Sequence, residues 1–230
     1  MQLFYLPNLD ENSKKATFSK EESRHLFKVL RKKIEDTILI TNGKNIFFNG
    51  KISSISKNNC EVDILNFEIK DKLDYSLHVV ISSLKSNERF EWFLEKASEI
   101  GISEITPIIC KRSERKFINK KRLNKVLISA MKQSLKAHHP ILNPITTLKD
   151  FYKKKFNDEL FIAHCNNSEK EFFINCLKPK TKNIVLIGPE GDFTENEVKK
   201  AIDLGFKPVS LGKSRFRTET AAIIATHTVS

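Results

Sequence analysis

The sequence predicts an α/β protein in two parts: a small barrel of antiparallel strands over residues 1–72, then an α/β domain with a mostly parallel sheet over residues 73–230. Three observations predict it. Strand and turn signals follow one another quickly between residues 37 and 65, with Asn-Gly at 42–43 and again at 49–50. Around Asp71-Lys72-Leu73-Asp74 the pattern changes to strands alternating with helices. The 230 residues suffice for one large domain or two small ones.

In chain order, Ser19-Lys20-Glu21-Glu22 reads as a capping box, with Ser19 and Glu22 satisfying free amides at a helix start. The short helix after it carries His25, Leu26, Val29 and Leu30 on one apolar face. Thr37–Thr41 reads as a strand that turns at Asn42-Gly43, and Ile46–Phe48 as one that turns at Asn49-Gly50. Tight hairpin turns need positive φ at both central residues, and Asn-Gly accepts it. Lys51–Ser56 and Cys60–Leu65 pair across Lys57-Asn58-Asn59. Beyond the pattern change, Leu77–Ser82 is a buried strand. Asn87–Ile100 is a helix with Phe90, Phe93, Leu94, Ala97 and Ile100 on one face and Gly101 as its stop. Ile105–Ile109, Leu160–Ala163, Ile184–Ile187 and Phe206–Leu211 read as strands. Asn119–Ala137 reads as a basic helix, Thr194-Glu195-Asn196-Glu197 caps a helix that ends at Gly205, and a last helix begins at Glu219. It is expected to run past Ser230.

Composition narrows the function. No apolar run approaches the length of a membrane span, and Met1-Gln2-Leu3-Phe4-Tyr5 does not open a signal peptide. Cys60, Cys110, Cys165 and Cys176 stand far apart, which argues against a zinc site or a disulfide framework and fits a reducing, cytoplasmic setting. The formal charge is +12. Lysine is used heavily throughout, so distribution says more than the sum. Residues 111–136 hold ten basic groups against the single acid Glu114, whereas residues 1–72 are only +3. A phosphate-facing surface on RNA is the functional reading of that segment, and a solvated helix face the alternative.

Two loops, each following a predicted strand, carry the chemistry. One is Ile187-Gly188-Pro189-Glu190-Gly191-Asp192-Phe193; the other is Leu211-Gly212-Lys213-Ser214-Arg215-Phe216-Arg217-Thr218-Glu219-Thr220-Ala221. Ligands of parallel α/β sheets sit outside the carboxyl ends of the strands, and glycine lets backbone approach them closely. Neither loop matches a dinucleotide fingerprint or a P-loop. A purely structural Gly-Pro-x-Gly turn is the alternative.

Taken together, the loops resemble the signature of the SPOUT methyltransferases and, within them, the RsmE family, which methylates N3 of a uridine in bacterial small-subunit (16S) ribosomal RNA. The likeness runs through His25-Leu26-Phe27-Lys28-Val29-Leu30-Arg31, Leu84-Lys85, Glu95-Lys96-Ala97-Ser98-Glu99-Ile100-Gly101, Pro107, Arg112-Ser113-Glu114-Arg115 and Gln133-Ser134. Departures are Asp192 and Glu35, where the family has glycine, Lys132 for its Glu, and Lys136 for its Arg.

The resemblance implies a PUA-like RNA-binding barrel followed by an α/β domain closed by a trefoil knot. It also implies a homodimer, S-adenosylmethionine as methyl donor, no metal, and the assembled 30S particle as the form in which the RNA is met. Ile187, Gly188, Pro189, Glu190, Gly191, Leu211, Gly212, Phe216 and Thr220 are the cofactor-binding candidates, with Phe216 closing over the site. Uridine N3 is a weak nucleophile until its proton leaves, and the resulting charge spreads onto O2 and O4. Arg217 is the candidate to stabilise that charge, with a salt bridge to Glu219 or Glu190 as its alternative role. Arg112 is a second catalytic candidate, or else an RNA-backbone contact. Glu219, like Glu190, orders the loops or relays a proton. Arg24, Arg31, Lys85, Arg115 and Lys136 are the RNA-contact candidates. His164 is a candidate for the cofactor pocket wall, and His25 reads as a packing histidine. Two other functions remain open from sequence: a knotted enzyme acting on a ribose 2′-hydroxyl or another base, and a non-catalytic RNA-binding assembly protein.

Overall fold

The computed structural model describes residues 2–56, 59–71, 73–166 and 169–230. The chain divides into two compact units, Met1–Lys72 with Met131–His139, and Leu73–Ala130 with Pro140–Ser230.

The first unit contains β1 (Leu3–Tyr5), β2 (Lys15–Phe18), α1 (Lys20–Arg24) running into a π-helical turn (His25–Val29), β3 (Thr37–Thr41), β4 (Ile46–Ile55) and β5 (Cys60–Ile69). The strands form one sheet in the order β1-β3-β4-β5-β2. It is antiparallel except for β1, which lies parallel to β3. Alternate residues such as Ile38, Ile40, Phe48, Ile52 and Val62 point into a core closed by Phe4, Phe18 and Leu26.

Several expectations for this unit need correction. Asn49-Gly50 is not a turn. It lies inside the ten-residue strand β4, at a shift in the register with β5. Glycine is needed there for packing, because a Cβ at Gly50 would sit 2.3 Å from Val62 Cγ1. The turn after β3 runs over four residues, 42–45, with Gly43 and Asn45 both at positive φ and the Asn42 amide donating to Leu9 O. Ser19 caps α1, but Glu22 does not complete the box: its carboxylate pairs with Lys132 at 3.0 Å. The π turn widens the helix by a residue and shifts its face, so Val29 is 66% exposed and Phe27 packs on the core in its stead. Lys57-Asn58, within the expected β4–β5 turn, and Lys72, at the expected domain boundary, lie outside the described residues.

The second unit contains β6 (Ser76–Ser82), α2 (Asn87–Ile100), β7 (Glu104–Ile109), α3 (Lys120–Gln133), β8 (Ile141–Leu142), β9 (Thr146–Thr147), α4 (Leu148–Phe151), β10 (Glu159–Ala163), β11 (Glu171–Phe172), α5 (Phe173–Cys176), β12 (Lys182–Ile187), α6 (Glu195–Asp203), β13 (Lys207–Ser210) and α7 (Thr218–Val229). The main strand order is β11-β13-β10-β12-β6-β7-β8. Each pairing in this sheet is parallel. Central strands of a covered parallel sheet bury both faces and read as continuous apolar runs, as Leu77–Ser82 and Ile184–Ile187 do. Their residues alternate between two cores. Leu77, Val79, Ile81, Val185 and Ile187 face Phe93 and Leu94 of α2, Leu127 of α3 and Ala222 of α7. Val80, Ile184 and Leu186 face Phe151 of α4 and Val198 of α6.

The basic helix ends at Gln133 rather than near Ala137. Leu135 takes φ 53°, and Lys136 N donates back to Met131 O, the closing pattern usually made by glycine. The chain then runs to the first unit, where Ala137 O accepts from Asn45 N and His139 N donates to Gly43 O.

Candidate active site

The sheet order brings β13, β10 and β12 side by side, and a cleft of about 660 Å³ opens at their carboxyl ends. Its walls are the loops that follow the three strands, with Arg89 of α2 at the side. Such a volume lies within the usual range of small-ligand sites.

The loop after β12 is held by its own atoms. Asp192 N donates to Pro189 O, closing a turn that places Asp192 at φ 62°. Left-handed backbone costs a non-glycine residue about 1–2 kcal/mol, and Asp tolerates it best with local hydrogen bonds. Here the carboxylate accepts from Phe193 N and from Cys165 N, both at 2.8 Å, tying this loop to the one after β10. Phe193 is buried, and Thr194 and Glu197 form a complete capping box at the start of α6. Glu190 accepts from Lys85 N at 3.3 Å, joining the loop to the end of β6.

The loop after β13 folds on Gly212. Ser210 Oγ donates to Gly212 O, and a Cβ at Gly212 would stand 2.9 Å from Phe216 Cε2. The Phe216 ring thus lies directly on a bare backbone position. Arg217 follows as the N-cap of α7, with its side chain exposed at the cleft. It makes no ion pair among the described residues, so the alternative salt bridge to Glu219 or Glu190 is absent.

Of the cofactor candidates, Ile187, Gly188, Pro189, Glu190, Leu211, Gly212 and Phe216 line the cleft; Gly191 and Thr220 do not. Of the catalytic candidates only Arg217 lines it. Arg112 donates through Nη1 to Gly191 O at 2.7 Å and braces the loop from outside. The Arg112 segment is itself anchored by Ser113, whose Oγ accepts from Cys110 N and meets Ser82 Oγ, both at 2.8 Å. Glu219 is buried, with Oε1 3.6 Å from Arg89 Nε and Oε2 without a hydrogen-bond partner among the described residues. Among the RNA-contact candidates, Arg24 and Arg31 are exposed on the first unit and Lys136 is half-buried there. Lys85 pairs with Glu114, and Arg115 donates to Asn87 Oδ1.

Sequence reasoning missed Arg89. A signal was present: a basic residue in the first turn of a helix opposes the helix dipole, so its place there needs a further reason. His164 lines the cleft with both ring nitrogens buried and without hydrogen-bond partners among the described residues. Burial, helped by nearby Lys170, holds the imidazole below its ordinary value against the pull of Asp192. The shift favours the neutral form of His164, in a cleft whose other lining side chains include Arg89, Lys170, Lys213, Arg215 and Arg217.

The parallel sheet, the glycine-lined cleft at its carboxyl edge and the separate small β unit are the architecture that the resemblance to the SPOUT class of RNA methyltransferases implies. The family described as RNA methyltransferase domain matches residues 71–230, and that described as RNA methyltransferase PUA domain matches residues 18–65. Ribosomal RNA small subunit methyltransferase E of Buchnera aphidicola subsp. Acyrthosiphon pisum is 33% identical, over 90% of this chain and 85% of its own. The protein of that name from Rickettsia conorii is 29% identical over 97% of this chain and 92% of its own. The crystal structure of the Neisseria gonorrhoeae protein of the same name, bound to S-adenosyl methionine, superposes with a TM-score of 0.82 at 29% identity, covering 98% of this chain and 95% of that one. The chain belongs to the ribosomal RNA small subunit methyltransferase E family.

Proposed function

We propose that this protein methylates N3 of a specific uridine in 16S ribosomal RNA, with S-adenosylmethionine as donor. The observation that carries the reading is the cleft lined by the Gly188 and Gly212 loops and by an Arg217 that has no ion-pair partner among the described residues. The donor supplies, when bound, an electrophilic methyl group on a sulfonium. The residues present fit it: the loop backbone at Gly188 and Leu211 would offer N–H and C=O groups to an adenine edge, Phe216 would cover the site from its seat on Gly212, and a neutral His164 would add no further positive charge.

The remaining chemistry is electrostatic. As the N3 proton passes to solvent water, Arg217 donates to the uracil oxygen on which charge gathers, and it does so more strongly in the transition state than in the ground state. Glu219 holds Arg89 at the cleft wall, and Arg112 fixes the Gly191 carbonyl; both are positioning residues. Exposed Lys120, Lys121 and Lys125 of α3 take RNA phosphates, as do Arg24, Arg31 and Lys136 on the first unit. Arg122 is committed to Glu91, at 2.6 Å.

The wider setting belongs to the same reading: a cytoplasmic homodimer acting on the assembled 30S particle, with α7 following β13 back against α2 and β6 to close a trefoil knot. No helix among the described residues is long and apolar enough to cross a membrane. The test is methyl transfer by purified protein to small subunits from cells lacking the modification, with nucleosides identified by mass spectrometry. 3-Methyluridine is expected; a 2′-O-methylated nucleoside, another methylated base, or no transfer at all overturns the assignment.

The neutral state of His164 yields a pH prediction. Its pKa lies below the ordinary imidazole value, and protonation would add a further cation to a cleft already lined by Arg89, Lys170, Lys213, Arg215 and Arg217, which disfavours a cationic ligand. Affinity for S-adenosylmethionine should therefore hold from pH 8 down to neutrality and fall as the solution is acidified through the depressed pKa. His164→Asn should flatten that fall, as calorimetry across pH will read. An acid-side loss equal in wild type and variant would place its origin elsewhere.

A further inference from the structure

A second concavity of about 490 Å³ lies at the carboxyl end of β7. Its floor includes Ile109, Leu148 and Tyr152, whose hydroxyl donates to Glu197 O at 3.1 Å. Four lysines from three parts of the chain converge on its rim: Lys111 and Lys116 after β7, Lys149 of α4, and Lys200 of α6. All four are exposed, and none has an ion-pair partner among the described residues. Four other exposed lysines of the same unit are paired, as Lys85–Glu114, Lys153–Asp150, Lys178–Glu159 and Lys207–Glu171, so what sets the rim apart is the convergence of four unpaired ones on one concavity. The one acid on this lining, Glu197, is already engaged by Thr194 N and Lys111 N. Ammonium groups crowded around a concavity repel one another, and a polyanion relieves that repulsion by displacing counterions.

The two clefts are continuous along the chain. Residues 187–190 and 192 line the first and residues 194, 196 and 197 the second, and Arg112, which braces Gly191, adjoins Lys111. Both open at the carboxyl edge of one parallel sheet.

We propose that the lysine-rimmed cleft is a seat for the RNA backbone, holding phosphodiesters adjacent to the methylated nucleotide through Lys111, Lys116, Lys149 and Lys200. The proposal rests on RNA being the substrate. Phosphate contacts of this kind set register and orientation and carry no base preference.

The test is the affinity of the full-length protein for a transcript of small-subunit ribosomal RNA, measured over a series of salt concentrations. The Lys149→Ala/Lys200→Ala double variant should bind more weakly, and its log–log salt slope should fall by roughly 1.4–1.8, about 0.7–0.9 per lost phosphate contact. Lys149→Arg/Lys200→Arg should restore both. Unchanged S-adenosylmethionine affinity certifies the fold. Lys180→Ala/Lys182→Ala, which removes the same charge at the amino end of β12, should leave the slope as it is. An unaltered slope in the Lys149/Lys200 variant, or an equal drop in the Lys180/Lys182 control, overturns the seat. Methyl transfer by the wild type is read separately: 3-methyluridine formed with no change of slope sinks the seat alone, and its absence sinks the functional reading.

Discussion

Replacing Arg217 with alanine should slow methyl transfer by about 10²–10³-fold, the usual cost of losing one preorganised donor to a developing anion. Affinity for S-adenosylmethionine and for RNA should stay close to wild type, because Arg217 holds no part of the loop: it makes no ion pair, and only its backbone carbonyl caps α7, accepting from Ala221 N. Arg217→Lys should recover part of the rate, since an ammonium reaches one acceptor where the guanidinium fork reaches two. Raising the pH should help Arg217→Ala more than wild type, because bulk base then takes over formation of the N3 anion. Single-turnover transfer to small subunits across pH is the measurement. A wild-type rate in Arg217→Ala would move the role to Arg89, the guanidinium at the cleft's side wall that sequence reasoning missed.

Gly212→Ala should weaken S-adenosylmethionine binding by about 5- to 150-fold, the equivalent of the 1–3 kcal/mol that overpacking typically costs. The added Cβ would sit 2.9 Å and 3.1 Å from two atoms of the Phe216 ring, forcing the ring off its seat. Backbone strain is not involved, because Gly212 is not at positive φ. Gly191→Ala is the matched control. Its Cβ would meet Arg112 at 3.4 Å and 3.5 Å, ordinary van der Waals contact, so affinity should barely move. Gly188→Val is a poorer probe of the cofactor, since even a Cβ there meets the buried Phe193 ring at 3.0 Å and disturbs the loop itself. Equal affinities for Gly212→Ala and wild type in calorimetry would refute the contact.

The second unit was largely legible in the sequence because its signals are local. Parallel strands buried on both faces are apolar nearly throughout, and α2 has its stripe and its stop at Gly101. The first unit misled where one signal served two ends: Asn49-Gly50 has the composition of a turn, yet its glycine answers to Val62 on the neighbouring strand. The end of α3 was illegible because a leucine occupies the left-handed position. In the cleft, the two glycine loops and His164 could be read, but Cys165 and Asn166 beside it, the side wall at Arg89 and the lysines of the second cleft come together only through strand order. Asp192 and Glu35 look in sequence like lost glycines. Both keep the positive φ, at 62° and 74°, and Asp192 adds two hydrogen bonds that glycine cannot make.

The segment Met131–His139 has a consequence for how the protein is made. Thr41 Oγ1 donates to Ala137 O at 3.1 Å, Lys44 bridges His138, and Lys132 neutralises Glu22. The first unit is therefore unfinished when residue 72 leaves the ribosome. It must wait for residue 139, by which time β6 and β7 have emerged without β12, the strand that covers the far edge of β6. A nascent chain of about that length exposes an open apolar edge, the kind of intermediate that aggregates or recruits chaperones. Ribosome-bound chains stalled before and after residue 139 should thus differ sharply in protease resistance within residues 1–72, although the sequence of that stretch is the same in both.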